Sequence, residues 1–168
     1  MAIYDESPEP PRREDGERAA VPARRLDQSC LDHLLGYRIT QANIPSRRTF
    51  QRHVGGPFKL SPVEFTILAL LAHNDEVSPK LLAQALAVSA PAVTMLLDRL
   101  AERGLLIRVR SESDRRAQHV RLTRKGQQLE RQAHARSLTM EEDLVRPLTR
   151  AERAILLELL RKVAGTPG

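Results

Sequence analysis

The chain has 168 residues, 29% of them charged and 41% hydrophobic, and a formal net charge of +6. That length buries one respectable core, and no stretch is apolar enough to span a bilayer, which excludes a membrane-spanning helix. The N-terminal MAIYDESPEP has acids and prolines where a secretion signal needs Lys or Arg followed by leucines, so a cytoplasmic domain is expected.

Residues 1–25 hold four prolines and eleven charges with scarcely any large apolar side chains, and read as a disordered tail. Six acids against five arginines make it a poor basic arm for DNA. The folded domain is expected over residues 26–168. Leu31, Leu35, Ile39 and Ala42, with Leu34 beside them, recur at helical spacing and predict an amphipathic helix from Leu26 to about Phe50. Pro45 is expected to kink or end it, and Gly55-Gly56-Pro57 reads as a break. Ser61-Pro62-Val63-Glu64 is a capping box with proline in the first turn, so a second helix runs through Phe65, Ile67, Leu68, Leu70 and Leu71 to about His73.

Ser78 to Thr123 reads as two short helices, a tight turn and a basic hairpin. Ser78 and Pro79 start the first helix, whose stripe is Leu81, Leu82, Ala85 and Leu86. Ser89 caps the second, with Pro91 in its first turn; Val93, Leu96, Leu97 and Leu100 form its apolar face, and Gly104 ends it. The period then becomes alternating. Ile107 and Val109 are expected on a dry face with Val120 and Leu122, and Arg108 and Arg110 on a wet one with His119 and Arg121. The loop Ser111–Ala117 is rich in guanidinium groups.

This is the pattern of a winged helix: mainly α, with a small β-hairpin wing. Nine basic residues against three acids lie between Arg99 and Lys125, giving this segment the charge of the whole chain. The positive field is therefore concentrated where such a fold meets phosphate. In that geometry Thr94 and Met95 touch base edges from the second helix, next to Ala90, Pro91 and Arg99. Ser78, Lys80 and Ser89 hold phosphates, and Arg110, Arg115 and Arg116 carry the wing into the minor groove. Asp114 is suited to orient Arg116 or Arg99.

After the wing, Thr123 caps a long helix carrying Leu129, Ala133, Met140 and Leu144 that is expected to end at Pro147. Thr149-Arg150-Ala151-Glu152 is another capping box, and Ile155, Leu156, Leu159, Leu160 and Val163 stripe the final helix. Such a stripe at a chain terminus must be covered.

The run LAQALAVSAPAVTMLLDRLAERGLL, then DRRA in the wing and LTRKG after it, resembles the MarR family of winged-helix transcription regulators. The similarity covers roughly Leu31 to Val163 and includes the wing signature Asp-x-Arg, Asp114 and Arg116. The resemblance implies an obligate homodimer on palindromic double-stranded DNA, with a winged helix over about 58–123 and dimerisation helices over about 26–52 and 124–165. It also implies a repressor released by a small ligand or by oxidation.

Four of the five aromatic residues lie between Tyr37 and Phe65. The family's ligand cleft, lined partly by the first two helices, would here offer Tyr37, Phe50, Phe58 and Phe65. His33, Arg38, Arg47 or Arg48 would meet the carboxylate of a small aromatic acid; ordinary core packing is the alternative. Cys30, the only cysteine, has His33 and Tyr37 at three and seven residues' distance, so all three fit one helix face and a redox-sensing regulator is a second possibility.

The five histidines lack metal-ligand spacing, and no phosphate-cradling loop or nucleophile elbow is present, so neither metal, cofactor nor catalysis is expected. A winged helix that binds a protein instead of DNA is the reading from another class. It draws on the shortage of long polar side chains in Ser89-Ala90-Pro91-Ala92.

Overall fold

The computed structural model describes residues 26–110 and 118–165. The N-terminal tail and the wing residues Asp114, Arg115 and Arg116 lie outside them. A 3-10 turn at Ser29–Leu31 precedes α1 (Leu35–Phe50), a π turn (Gln51–Gly55) and α2 (Gly56–Phe58). Then come α3 (Pro62–His73), α4 (Pro79–Leu86), α5 (Ala90–Glu102), β1 (Leu106–Arg110) and β2 (Gln118–Leu122). The chain ends with α6 (Arg124–Ser137), α7 (Glu142–Val145) and α8 (Arg150–Val163).

The core is the underside of the winged helix. Val54, Ile67, Leu68, Val93, Leu97, Leu100 and Ala133 are fully buried and Leu82, Leu105, Leu106 and Val120 nearly so, while α3 packs on α6 and β2, and α4 packs on α5 and β2. β1 and β2 form an antiparallel pair, and Val120 N–H donates to Val77 O at 2.8 Å, so the segment before α4 holds the hairpin's other edge. Where local chemistry is unambiguous the expected starts hold. Ser61, Ser78, Thr123 and Thr149 each accept a backbone N–H from the first turn, and the Ser61–Glu64 and Thr149–Glu152 capping boxes are complete. Ser89 flanks α5 in extended conformation, yet its hydroxyl makes no capping bond.

Several further expectations are corrected. Helix α1 begins at Leu35, because Leu34 is extended at φ −91 and ψ 109 and separates it from the Ser29–Leu31 turn. Pro45 does not end α1: it and Gln41, whose carbonyl loses its N–H partner, both face solvent. Gly55-Gly56-Pro57 is not the break either. Helical winding runs through it to Lys59, which takes the left-handed conformation at φ 52. Gly55 serves close packing instead, since a Cβ there would stand 3.2 Å from Leu60 O.

The wing's dry face is also shifted by one residue on β1. Leu106 pairs with Leu122 and Arg108 with Val120, placing Leu106 and Val120 in the core, whereas Ile107 faces out opposite Arg121 and is 51% exposed. Leu105-Leu106-Ile107 offers apolar side chains to both phases, and the core takes the first two. Finally, α6 stops at Ser137, with turns over 138–141 before α7, so Pro147 does not terminate one long helix. In α4, only Leu82 of the expected stripe is buried; Leu81 is 54% exposed.

Candidate DNA interface

The axes of α4 and α5 meet at a bend of 114°, within the range of helix-turn-helix pairs. The turn is made by Ala87, left-handed at φ 51, while Val88 N–H donates to Ala83 O at 3.1 Å, a Schellman-type closure with alanine in the place glycine prefers. The bend buries Val93, Leu97 and Leu100 of α5. It leaves Ala90, Pro91, Thr94, Met95, Asp98 and Arg99 on one outward face, continuous with the exposed Ser89. Lys80 is exposed beside this face on α4, and Ser78 is half-buried with its hydroxyl accepting Leu81 N–H at 3.2 Å. The α5 residues singled out for DNA thus lie on its outward side. Arg110 is the last residue of β1, paired with Gln118 of β2.

Several interactions missing from the sequence reading fix this face. Arg99 Nη1 stands 3.7 Å from Oε1 of the buried Glu64 on α3. Arg103 Nη2 donates to Phe58 O at 3.1 Å. Both arginines, one helical turn apart, bind the corner between α2 and α3. Asp98 accepts from Arg108 Nη2 at 2.6 Å, joining α5 to the base of the wing. Behind Gly104, which is left-handed at φ 69, Thr123 Oγ1 donates to Gly104 O at 2.7 Å and Lys125 Nζ to Arg103 O at 2.7 Å. Helical spacing shows Arg99 and Arg103 as neighbours, but their partners lie too far along the chain for any local rule.

This arrangement has relatives. The model of the MarR family matches residues 58–117. The transcriptional repressor CouR, solved bound to a 23-mer DNA duplex, is 34% identical and superposes with a TM-score of 0.77 over 84% of this chain and 99% of its own. The chain belongs to the MarR family. It is also 26% identical to the putative transcriptional regulatory protein for the hcr operon of Thauera aromatica, over 90% of this chain and 92% of that one. The regulator BpsR of Bordetella bronchiseptica, whose DNA binding is regulated by 6-hydroxynicotinic acid, is 25% identical with a TM-score of 0.73, over 80% of this chain and 96% of its own. As a MarR-family member this protein is a sequence-specific DNA-binding transcription regulator.

Residues expected to line an effector cleft fall into separate groups. Arg47, Arg48, Phe50, Gln51, Arg52 and Pro62 surround a depression of about 450 Å³ at the junction of α1 and α3. Gln51, Arg52 and Pro62 are not among the residues expected there. Phe65 packs against Phe50 with rings tilted by 59° and centroids 5.9 Å apart, and Phe58 packs against the core. His33, Tyr37 and Arg38 sit at the other end of α1: Arg38 pairs with Asp32 at 2.5 Å and Tyr37 hydrogen-bonds Gln28. Ten residues of helix, roughly 15 Å, separate Tyr37 from Arg47.

Cys30 is exposed and lies in the 3-10 turn before the Leu34 break, so it does not share a helix face with Tyr37 as expected. Among the described residues no three His, Cys, Asp or Glu side chains are grouped to hold a metal ion. No single described helix is long and apolar enough to cross a membrane.

Proposed function

We propose that this MarR-family regulator is a cytoplasmic homodimeric repressor, without enzymatic activity, that places one α5 helix in each of two successive major grooves of a palindromic operator. The exposed face Ser89–Arg99 carries the reading. It is backed by a packed core on the opposite side of the helix and by DNA-bound CouR at 34% identity. Ser78, Lys80 and Ser89 hold phosphates, Ala90, Pro91, Thr94 and Met95 meet base edges, and Arg110 with Asp114, Arg115 and Arg116 form the wing's contact. Leu35, Ile39, Leu156 and Leu160, each at least 40% exposed, supply the seam between subunits.

The effector best suited to the Arg47–Pro62 depression is a small aromatic acid, its carboxylate on the guanidinium groups and its ring toward Phe50. Pro62 is in the first turn of α3, two residues before Glu64, so a ligand that displaces this corner also displaces the partner of Arg99. The ligand named for BpsR belongs to this chemical class.

The test is a fluorescence-anisotropy titration of the full chain against DNA obtained by in vitro selection and against a scrambled duplex, at two salt concentrations. Preferential binding with a twofold footprint and a salt slope reflecting roughly six to ten phosphates is expected. Aromatic acids are then expected to release the wild-type complex and to fail with Arg47→Ala. Equal binding to both duplexes at all salt concentrations would overturn sequence-specific recognition.

A further inference from the structure

The outward face of α5 has few hydrogen-bonding groups left for bases. Thr94 Oγ1 donates its hydrogen to Ala90 O at 3.1 Å. Asp98 is taken by Arg108 at 2.6 Å, and Arg99 turns back toward Glu64. Ala90 and Pro91 bring no polar side-chain atom. Met95 is the long side chain that remains, and it is 62% exposed in the half of the helix that enters the groove. One exposed apolar side chain is unremarkable on a surface. Here it occupies the reading position, on a helix whose polar side chains are mostly committed within the fold.

In the major groove the only base group that prefers an apolar partner is the 5-methyl of thymine. A thioether side chain is flexible and polarisable enough to cover that methyl without demanding one exact angle. We infer that Met95 is a specificity-determining residue that selects a thymine in each half-site by contact with its 5-methyl group. The inference rests on the DNA-binding reading above.

The experiment replaces each symmetric pair of thymines in the selected operator by deoxyuridine, which removes only the methyl, and measures affinity for the wild type and for Met95→Ala. Loss of one buried methyl corresponds to about fourfold per half-site, or about fifteenfold for the symmetric pair. One thymine pair is expected to show that loss with the wild type and none with Met95→Ala. Because Met95 points away from the core, the variant keeps its fold, checked by its circular dichroism and melting curve.

A selected operator in which no thymine pair is sensitive to the exchange, or a Met95→Ala protein that keeps the full uracil penalty, overturns the methyl contact and leaves DNA binding intact. Failure to prefer any selected duplex over scrambled DNA overturns the DNA-binding reading and the contact with it.

Discussion

Arg99 of α5 reaches to 3.7 Å from Oε1 of Glu64, a carboxylate only 4% exposed that also accepts Ser61 N–H through Oε2 at 2.8 Å. One residue thus caps α3 and seats the recognition helix. Glu64→Gln keeps the capping geometry and removes the charge. We expect it to change stability by less than about 1 kcal/mol. Operator affinity should still fall by about three- to tenfold, because Arg99 loses its preorganised position. Glu64→Ala also loses the bond from Ser61 N–H, the reciprocal half of the capping box, while Ser61 Oγ still accepts the N–H of residue 64, so it costs about 1 kcal/mol more. Thermal melts and anisotropy titrations on the two variants separate the roles; equal operator affinity in wild type and Glu64→Gln would show that the pair does not position Arg99.

Gly126 lies in the first turn of α6 against the backbone of Leu105, and a Cβ there would stand 1.9 Å from Leu105 O. Neither partner is a flexible side chain, so relief requires moving α6 away from the turn that ends α5. Overpacking of this kind costs about 1–3 kcal/mol. For Gly126→Ala the expected result is a melting temperature lower by several degrees. An unchanged melting curve would mean that the helix start shifts freely.

What the sequence makes legible follows the range of the interaction concerned. The caps at Ser61, Ser78, Thr123 and Thr149 depend on residues three apart, and the stop at Gly104 on one backbone angle, so each can be read from a few letters. The phase of β1 could not be, because Leu105-Leu106-Ile107 satisfies either alternation and only burial against α5 and pairing with β2 decide. Local punctuation also misled at Pro45 and Gly55-Gly56-Pro57, where solvent exposure and close packing let helical winding continue. The outward-facing residues of α5 were legible because burying one side of an amphipathic helix defines the other. Their anchors were not: Glu64 and Arg99 are 35 positions apart.

The Thr149–Glu152 capping box makes a pH prediction. Hydrogen bonds from Thr149, the backbone N–H first and the hydroxyl second, hold the Glu152 carboxyl below its ordinary value of 4.5. A depressed carboxyl binds protons less readily in the folded than in the unfolded state. Its stabilising effect is therefore full above the unfolded value and is lost as pH falls through the folded one. Glu152→Ala is expected to lower the stability of α8 at pH 7 and to match the wild type increasingly closely below pH 4.5. Hydrogen exchange of the α8 amides at several pH values checks this; a constant difference down to the most acidic pH would assign the effect to something other than the charged cap.

Helix α8 has the most to lose as a single chain. Ile155, Leu156, Leu157, Leu159, Leu160 and Val163 are each at least 40% exposed, and α8 contains no buried residue. Leu35 and Ile39 of α1 are similarly uncovered. Apolar surface on that scale suits a protein interface, and the proposed seam between subunits uses it. Introducing charge by Leu156→Glu together with Leu160→Glu leaves every residue of the winged-helix core untouched. The double variant is expected to elute as a monomer and to bind operator at least 100-fold more weakly, because each half-site alone supplies about half the contacts and the advantage of linked sites disappears. Sedimentation equilibrium gives the mass directly. A folded dimer with wild-type operator affinity would place the subunit seam away from α8.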